Sequence, residues 1–130
     1  MKNNLQTAKS ILNLIGNTPL IQIDKVVKNF AGIYYAKWEA ANPGHSNKDR
    51  IALFIIEEAE RKGLLQNDSV IIETTSGNTG FSLAMVSLIK GYECILAVSS
   101  KSSKDKINML RAMGAKVYVC PANVGADDPR

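Results

Sequence analysis

Aromatic residues are scarce, 6% of 130 residues, with a single tryptophan. A platform of stacked bases for single-stranded nucleic acid is therefore not available. Cysteine is nearly absent. The two that occur, Cys94 and Cys120, fall in strand-like apolar runs. They are expected to be reduced core residues, not a bridge, a metal site or a nucleophile. No apolar run approaches the ~18–20 residues of a membrane span, and the N-terminus lacks a basic-then-apolar leader. The expectation is a cytoplasmic chain with neither membrane nor nucleic acid as partner, and no metal. Charge of one sign is never blocked together. Sixteen basic and twelve acidic residues leave +4. The densest basic run, residues 101–106, has three lysines and one aspartate. It reads as a solvated face, or as a modest positive field that draws small anions.

What is present is a core-forming composition. Hydrophobic residues make up 45% and charged residues 22%, which excludes global disorder and suits one domain. From about residue 64 a rhythm emerges. Apolar runs at 70–73, 94–98 and 116–120 alternate with helical stretches at 79–90 and 103–113. Each helix is followed by a glycine, Gly91 or Gly114, as a left-handed stop. Alternation with short connections predicts parallel βαβ units. The fold class is α/β, a parallel sheet with flanking helices in a three-layer αβα arrangement.

The same pattern extends backward. Residues 18–23 and 33–38 read as strands, and 7–13 as a short helix. A helix over 47–62 ends at Gly63. Ser46 with Asp49 fits a capping box. Ile51, Ile55, Ile56 and Ala59 form the expected apolar face, and Glu57–Arg61 and Glu58–Lys62 the expected ion pairs. The helix after Gly80 has no charge over residues 81–89. A helix apolar all round is covered on more than one side. Another domain or subunit, or a central place in a sandwich, would each provide that.

Two strand-to-helix turns hold the polar residues of interest. One is Asn42-Pro43-Gly44-His45-Ser46-Asn47-Lys48. The other is Thr74-Thr75-Ser76-Gly77-Asn78-Thr79-Gly80. Ligands of open parallel sheets bind beyond the carboxyl ends of the strands, where such turns lie. Free N–H groups and the helix dipole at the second turn suit a carboxylate or phosphate. The same residue types are also ordinary caps. Lys48 opposes the dipole in its first turn. It is either a solvated lysine or, if sheltered beside a ligand, a Schiff-base amine.

The chain resembles the cysteine synthase and cystathionine β-synthase family of pyridoxal-phosphate (PLP) enzymes, fold type II. The matching segments are Ile15-Gly16-Asn17-Thr18-Pro19-Leu20, Asn42-Pro43-Gly44 with Ser46 and Lys48-Asp49-Arg50, Thr75-Ser76-Gly77-Asn78-Thr79-Gly80, and Leu110-Arg111-Ala112 with Gly114-Ala115. Ser103 with Asp105-Lys106 looks more like the cystathionine β-synthase branch. The resemblance implies that Lys48 holds PLP through a Schiff base and takes the substrate α-proton. It implies that Asn78 bonds the cofactor's 3′-oxygen, and that Thr75, Ser76, Gly77, Asn78 and Thr79 bind the amino-acid carboxylate. The implied reaction is β-replacement, in which serine or an O-activated serine exchanges its β-substituent for sulfide or a thiol. The complete protein is then a homodimer acting on a small amino acid.

Two positions depart from the family pattern. His45 stands where a second glycine is usual, and Asn47 where valine or isoleucine is common. His45 reads either as an exposed loop residue or as a group that narrows the site or supplies a proton. The family's cofactor-phosphate loop would lie beyond Arg130. The resemblance thus implies an N-terminal portion, weakly active or inactive alone. Residues 1–40 would hold strands that pair with a further domain, and residues 41–130 would form a small α/β domain. Competing readings are a non-catalytic binding protein that retains the fold, and a relative acting on another β-substituted amino acid.

Overall fold

The computed structural model describes residues 7–75 and 77–123, which form two separate sheets. Strands β1 (Leu20–Ile23) and β2 (Tyr34–Lys37) pair antiparallel, Leu20 opposite Lys37 and Ile23 opposite Tyr34. Both are almost wholly exposed. Helix α1 (Lys48–Arg61) follows. Then β3 (Val70–Thr74), α2 (Asn78–Lys90), β4 (Glu93–Ser99), α3 (Lys104–Ala112) and β5 (Lys116–Cys120) alternate as expected. The three strands are parallel, in the spatial order β3-β4-β5. Gly63, Gly91 and Gly114 end the three helices in left-handed backbone, φ 68°, 83° and 85°.

The period-two alternation of β4 decides where the core sits. Cys94, Leu96 and Val98 are buried and pack with Ala84 of α2 and Ile107 and Leu110 of α3. The opposite face is bare, with Ile72 70% and Tyr118 61% exposed. The α/β class and the parallel sheet with flanking helices hold. Among the described residues, α2 and α3 cover one face of that sheet. Cys94 is a core thiol, and burial pushes its pKa up. Cys120 is exposed. It corrects the expectation of a second core cysteine, because β5 is an edge strand and Cys120 shares the bare face with Tyr118.

Helix α2 lies against the sheet on one side and α1 on another. Its Leu83 and Val86 join Ala52 and Ile56 of α1. Residues 82–87 are all buried, which accounts for the uncharged run; only Leu88 and Ile89 near its end are exposed. The apolar face of α1 differs from expectation. Ala52 and Ile56 are buried, whereas Ile51 and Ile55 are exposed. The helix turns the small Ala52 toward α2, which allows close approach, and leaves two isoleucines outside. Glu58 takes both Arg61, at 2.6 Å, and Lys62, at 3.1 Å. Glu57 lies 3.7 Å from Lys90 instead of pairing with Arg61. The expected N-terminal helix shortens to a 3-10 turn, Ile11–Leu14, closed by reciprocal bonds between Ser10 and Asn13. Left-handed backbone at Gly16 and Asn17 then leads into β1.

Candidate active site

The turn before α1 is knotted by its own side chains. Asn42 is buried; its Nδ2 donates to the Ser46 carbonyl at 3.0 Å and its Oδ1 accepts the Gly16 N–H at 2.8 Å. Arg50 forks onto Glu39, with Nε to Oε2 at 2.9 Å and Nη2 to Oε1 at 3.0 Å. Thr18 donates to the same carboxylate at 2.9 Å. The Arg50 guanidinium, aided by the Thr18 and Asn42 donors, lowers the Glu39 pKa to about 2. Asp49 is fully buried. Its two oxygens accept the Gly44 N–H and the Ser82 hydroxyl, each at 2.5 Å. The capping box is therefore not formed. Ser46 Oγ accepts the Lys48 N–H at 3.2 Å, but Asp49 spends its carboxylate on Gly44 and α2. Gly44 must be glycine, since a Cβ there would run into that carboxylate.

The turn before α2 is built differently. The Thr75 hydroxyl accepts the N–H groups of Gly77, at 3.3 Å, and Gly80, at 3.1 Å, so it serves as the helix cap. Gly80 is required here, because a side chain would meet the Thr75 methyl. The N–H groups of Asn78 and Thr79 have no acceptor among the described residues. The first turn of α2 also carries no acidic residue. Two donors left open among the described residues, at the positive end of a 13-residue helix, suit an anionic group such as a carboxylate.

A cleft of about 240 Å3 opens where these turns meet α3. Gly44 and His45 border it from the first turn, Gly77 and Asn78 from the second, and Lys106 and Met109 from α3. Its remaining lining is mainly apolar, from Phe81, Val98, Ile107 and Leu110. Of the residues singled out in the sequence, Gly77 and Asn78 reach the cleft. Thr75 and Thr79 are half-buried just behind them, and Ser76 lies outside the described residues. Lys48 is half-buried and does not line the cleft; its Nζ donates to Asn47 Oδ1 at 3.2 Å. No carboxylate pairs with that amine among the described residues. An amine tied only to a neighbouring amide is released by one rotamer change. This donor set fits an aldehyde cofactor: an unpaired lysine, the Asn78 side chain, and open amides for a carboxylate.

Sequence reasoning did not find the Asp49–Ser82 bond, the Glu39–Arg50 fork, or the α3 wall with Lys106 and Met109. A hydroxyl inside the uncharged run of α2 was the available signal for the first. The other two join residues 11 and about 60 positions apart, which no local pattern encodes.

The chain is similar in sequence and structure to known proteins. Residues 11–129 match the family described as pyridoxal-phosphate dependent enzyme. Cystathionine beta-synthase of Mus musculus is 48% identical over 122 residues, which cover 92% of this chain and 22% of that protein. Cysteine synthase of a Flavobacterium species is 45% identical over 117 residues, 90% of this chain and 38% of that protein. The solved structure of a hydrogen sulfide-producing enzyme from Fusobacterium nucleatum superposes with a TM-score of 0.84 at 45% identity. It covers 91% of this chain, which spans 39% of that one. The chain thus spans between about a fifth and two-fifths of these relatives, and it belongs to the pyridoxal-phosphate dependent enzyme family.

Proposed function

We propose that the chain carries the lysine-bearing, carboxylate-binding part of a β-replacement enzyme. It would make cysteine or cystathionine from serine or an O-activated serine and a sulfur nucleophile. The observation that carries this reading is the pair of open amides at the uncharged start of α2. They lie beside a cleft that Asn78 borders, next to a helix that begins with Lys48. In this reading the Asn78 and Thr79 N–H groups, with Thr75, Ser76 and Gly77, hold the amino-acid carboxylate. The Asn78 side chain holds the cofactor's 3′-oxygen. Lys48 Nζ anchors the cofactor and moves the proton at the substrate α-carbon. PLP, when bound, supplies the electron sink for that chemistry. The Asp49–Ser82 bond fixes the start of α1 to α2, so amine and carboxylate receptor keep one geometry. We also place the complete enzyme in the cytoplasm as a homodimer, with residues 1–40 pairing their exposed strands with the remainder of the protein.

A non-catalytic binding protein is the second reading, and Lys48 standing outside the cleft lining favours it. One experiment decides. The protein is incubated with PLP, reduced with borohydride and digested. A reduced pyridoxyl group on Lys48, lost in Lys48→Ala while unfolding stability stays within about 0.5 kcal/mol, supports the enzyme. No adduct, in this chain or in one extended at its C-terminus, rejects it.

A further inference from the structure

Two basic side chains, His45 and Lys106, border the cleft, and among the described residues no carboxylate does. His45 is the chain's single histidine. Its backbone is left-handed, φ 57°, which glycine adopts freely and a side-chain-bearing residue does not. Its Nδ1 lies 3.1 Å from the Ala40 carbonyl oxygen. A carbonyl only accepts, so Nδ1 carries the ring proton and the lone pair of the neutral imidazole lies on Nε2. A ring oriented through one nitrogen, its other nitrogen without a hydrogen-bond partner among the described residues, on a residue that borders a cleft, is the arrangement of a general base.

We propose that His45 is the base for the sulfur nucleophile, which rests on the β-replacement reading above. The S–H bond of a thiol or of hydrogen sulfide breaks, and the proton passes to Nε2. The electron pair left on sulfur forms the new bond to the substrate β-carbon; the bond from that carbon to its substituent breaks, and the substituent leaves with that bonding pair. The imidazolium then returns its proton to water at the open rim. The Lys106 ammonium on the opposite wall favours sulfur in its anionic form.

The single histidine makes the test unambiguous. Nitrogen-15 spectra of the full chain are expected to show a protonated Nδ1 and a bare Nε2. Adding 2-mercaptoethanol shifts the Nε2 resonance as its S–H donates a hydrogen bond there, whereas 2-(methylthio)ethanol, which fills similar space and keeps the hydroxyl but has no S–H, leaves it in place. A proton on Nε2, or an equal response or none to the two compounds, overturns the proposal. In PLP-loaded protein that turns over, His45→Gly and His45→Asn lower the rate with 2-mercaptoethanol at least tenfold. They leave the rate with thiophenol, ionised at the assay pH, unchanged; equal losses also overturn it. Absence of a reduced Lys48 adduct strikes the β-replacement reading instead and does not alter the nitrogen spectrum.

Discussion

The turns before α1 and α2 occupy related places, each delivering the chain into a helix beside the cleft, yet they treat polar groups in opposite ways. Before α1 four polar side chains are committed: Asn42, Glu39, Arg50 and Asp49 bond one another or the backbone they enclose. Before α2 one hydroxyl caps two amides and two more stay open among the described residues. The first is a rigid mount and the second a receptor. A binding site needs both, since open donors give affinity only where their neighbours do not move.

This contrast can be broken by mutation. Asp49→Ala should have the largest effect. It leaves the Gly44 N–H and the Ser82 hydroxyl without a partner among the described residues, at about 1–3 kcal/mol each, so urea unfolding should show a loss of roughly 2–6 kcal/mol. A loss below that of the next variant would mean the mount is not where rigidity resides. Thr75→Val removes the acceptor for two amides of α2 and should cost about 1 kcal/mol, the usual value of a lost cap. The smallest effect concerns acid. Glu39 is ionised down to about 2 in the folded chain, against 4.5 ordinarily. A lowered carboxylate pKa stabilises the fold above the ordinary value and ceases to do so as pH falls toward the folded one. The contribution should therefore fade between pH 4.5 and 2. Trp38, the sole tryptophan and adjacent to Glu39, reports it by fluorescence. Glu39→Gln should abolish that acid transition while leaving a later, global one.

Much of this was legible in the chain itself. Parallel βαβ alternation follows from apolar runs separated by helices with glycine stops, and it places the turn before α2 at the carboxyl end of β3. The uncharged residues 81–89 announced a helix covered on two sides, and α1 and the sheet cover it. The apolar face of α1 was not legible, because three isoleucines outweigh one alanine in any periodicity, whereas close packing against α2 selects Ala52. Cys120 was misplaced for a related reason: an apolar run does not reveal that its strand lies at an edge. The Lys48 side chain is the larger lesson. Motif and helix position single it out, but neither encodes the bond that its amine donates to Asn47 Oδ1.

The order of the parallel strands repeats their order along the chain. Each strand after the first joins the one completed just before it, across a single helix and its two turns. Such a sheet can grow stepwise as the polypeptide leaves the ribosome, with no strand waiting for a partner from a distant part of the message. Lys48 and the Asn78 and Thr79 amides thus enter the fold before β5 completes the edge of the three-stranded sheet.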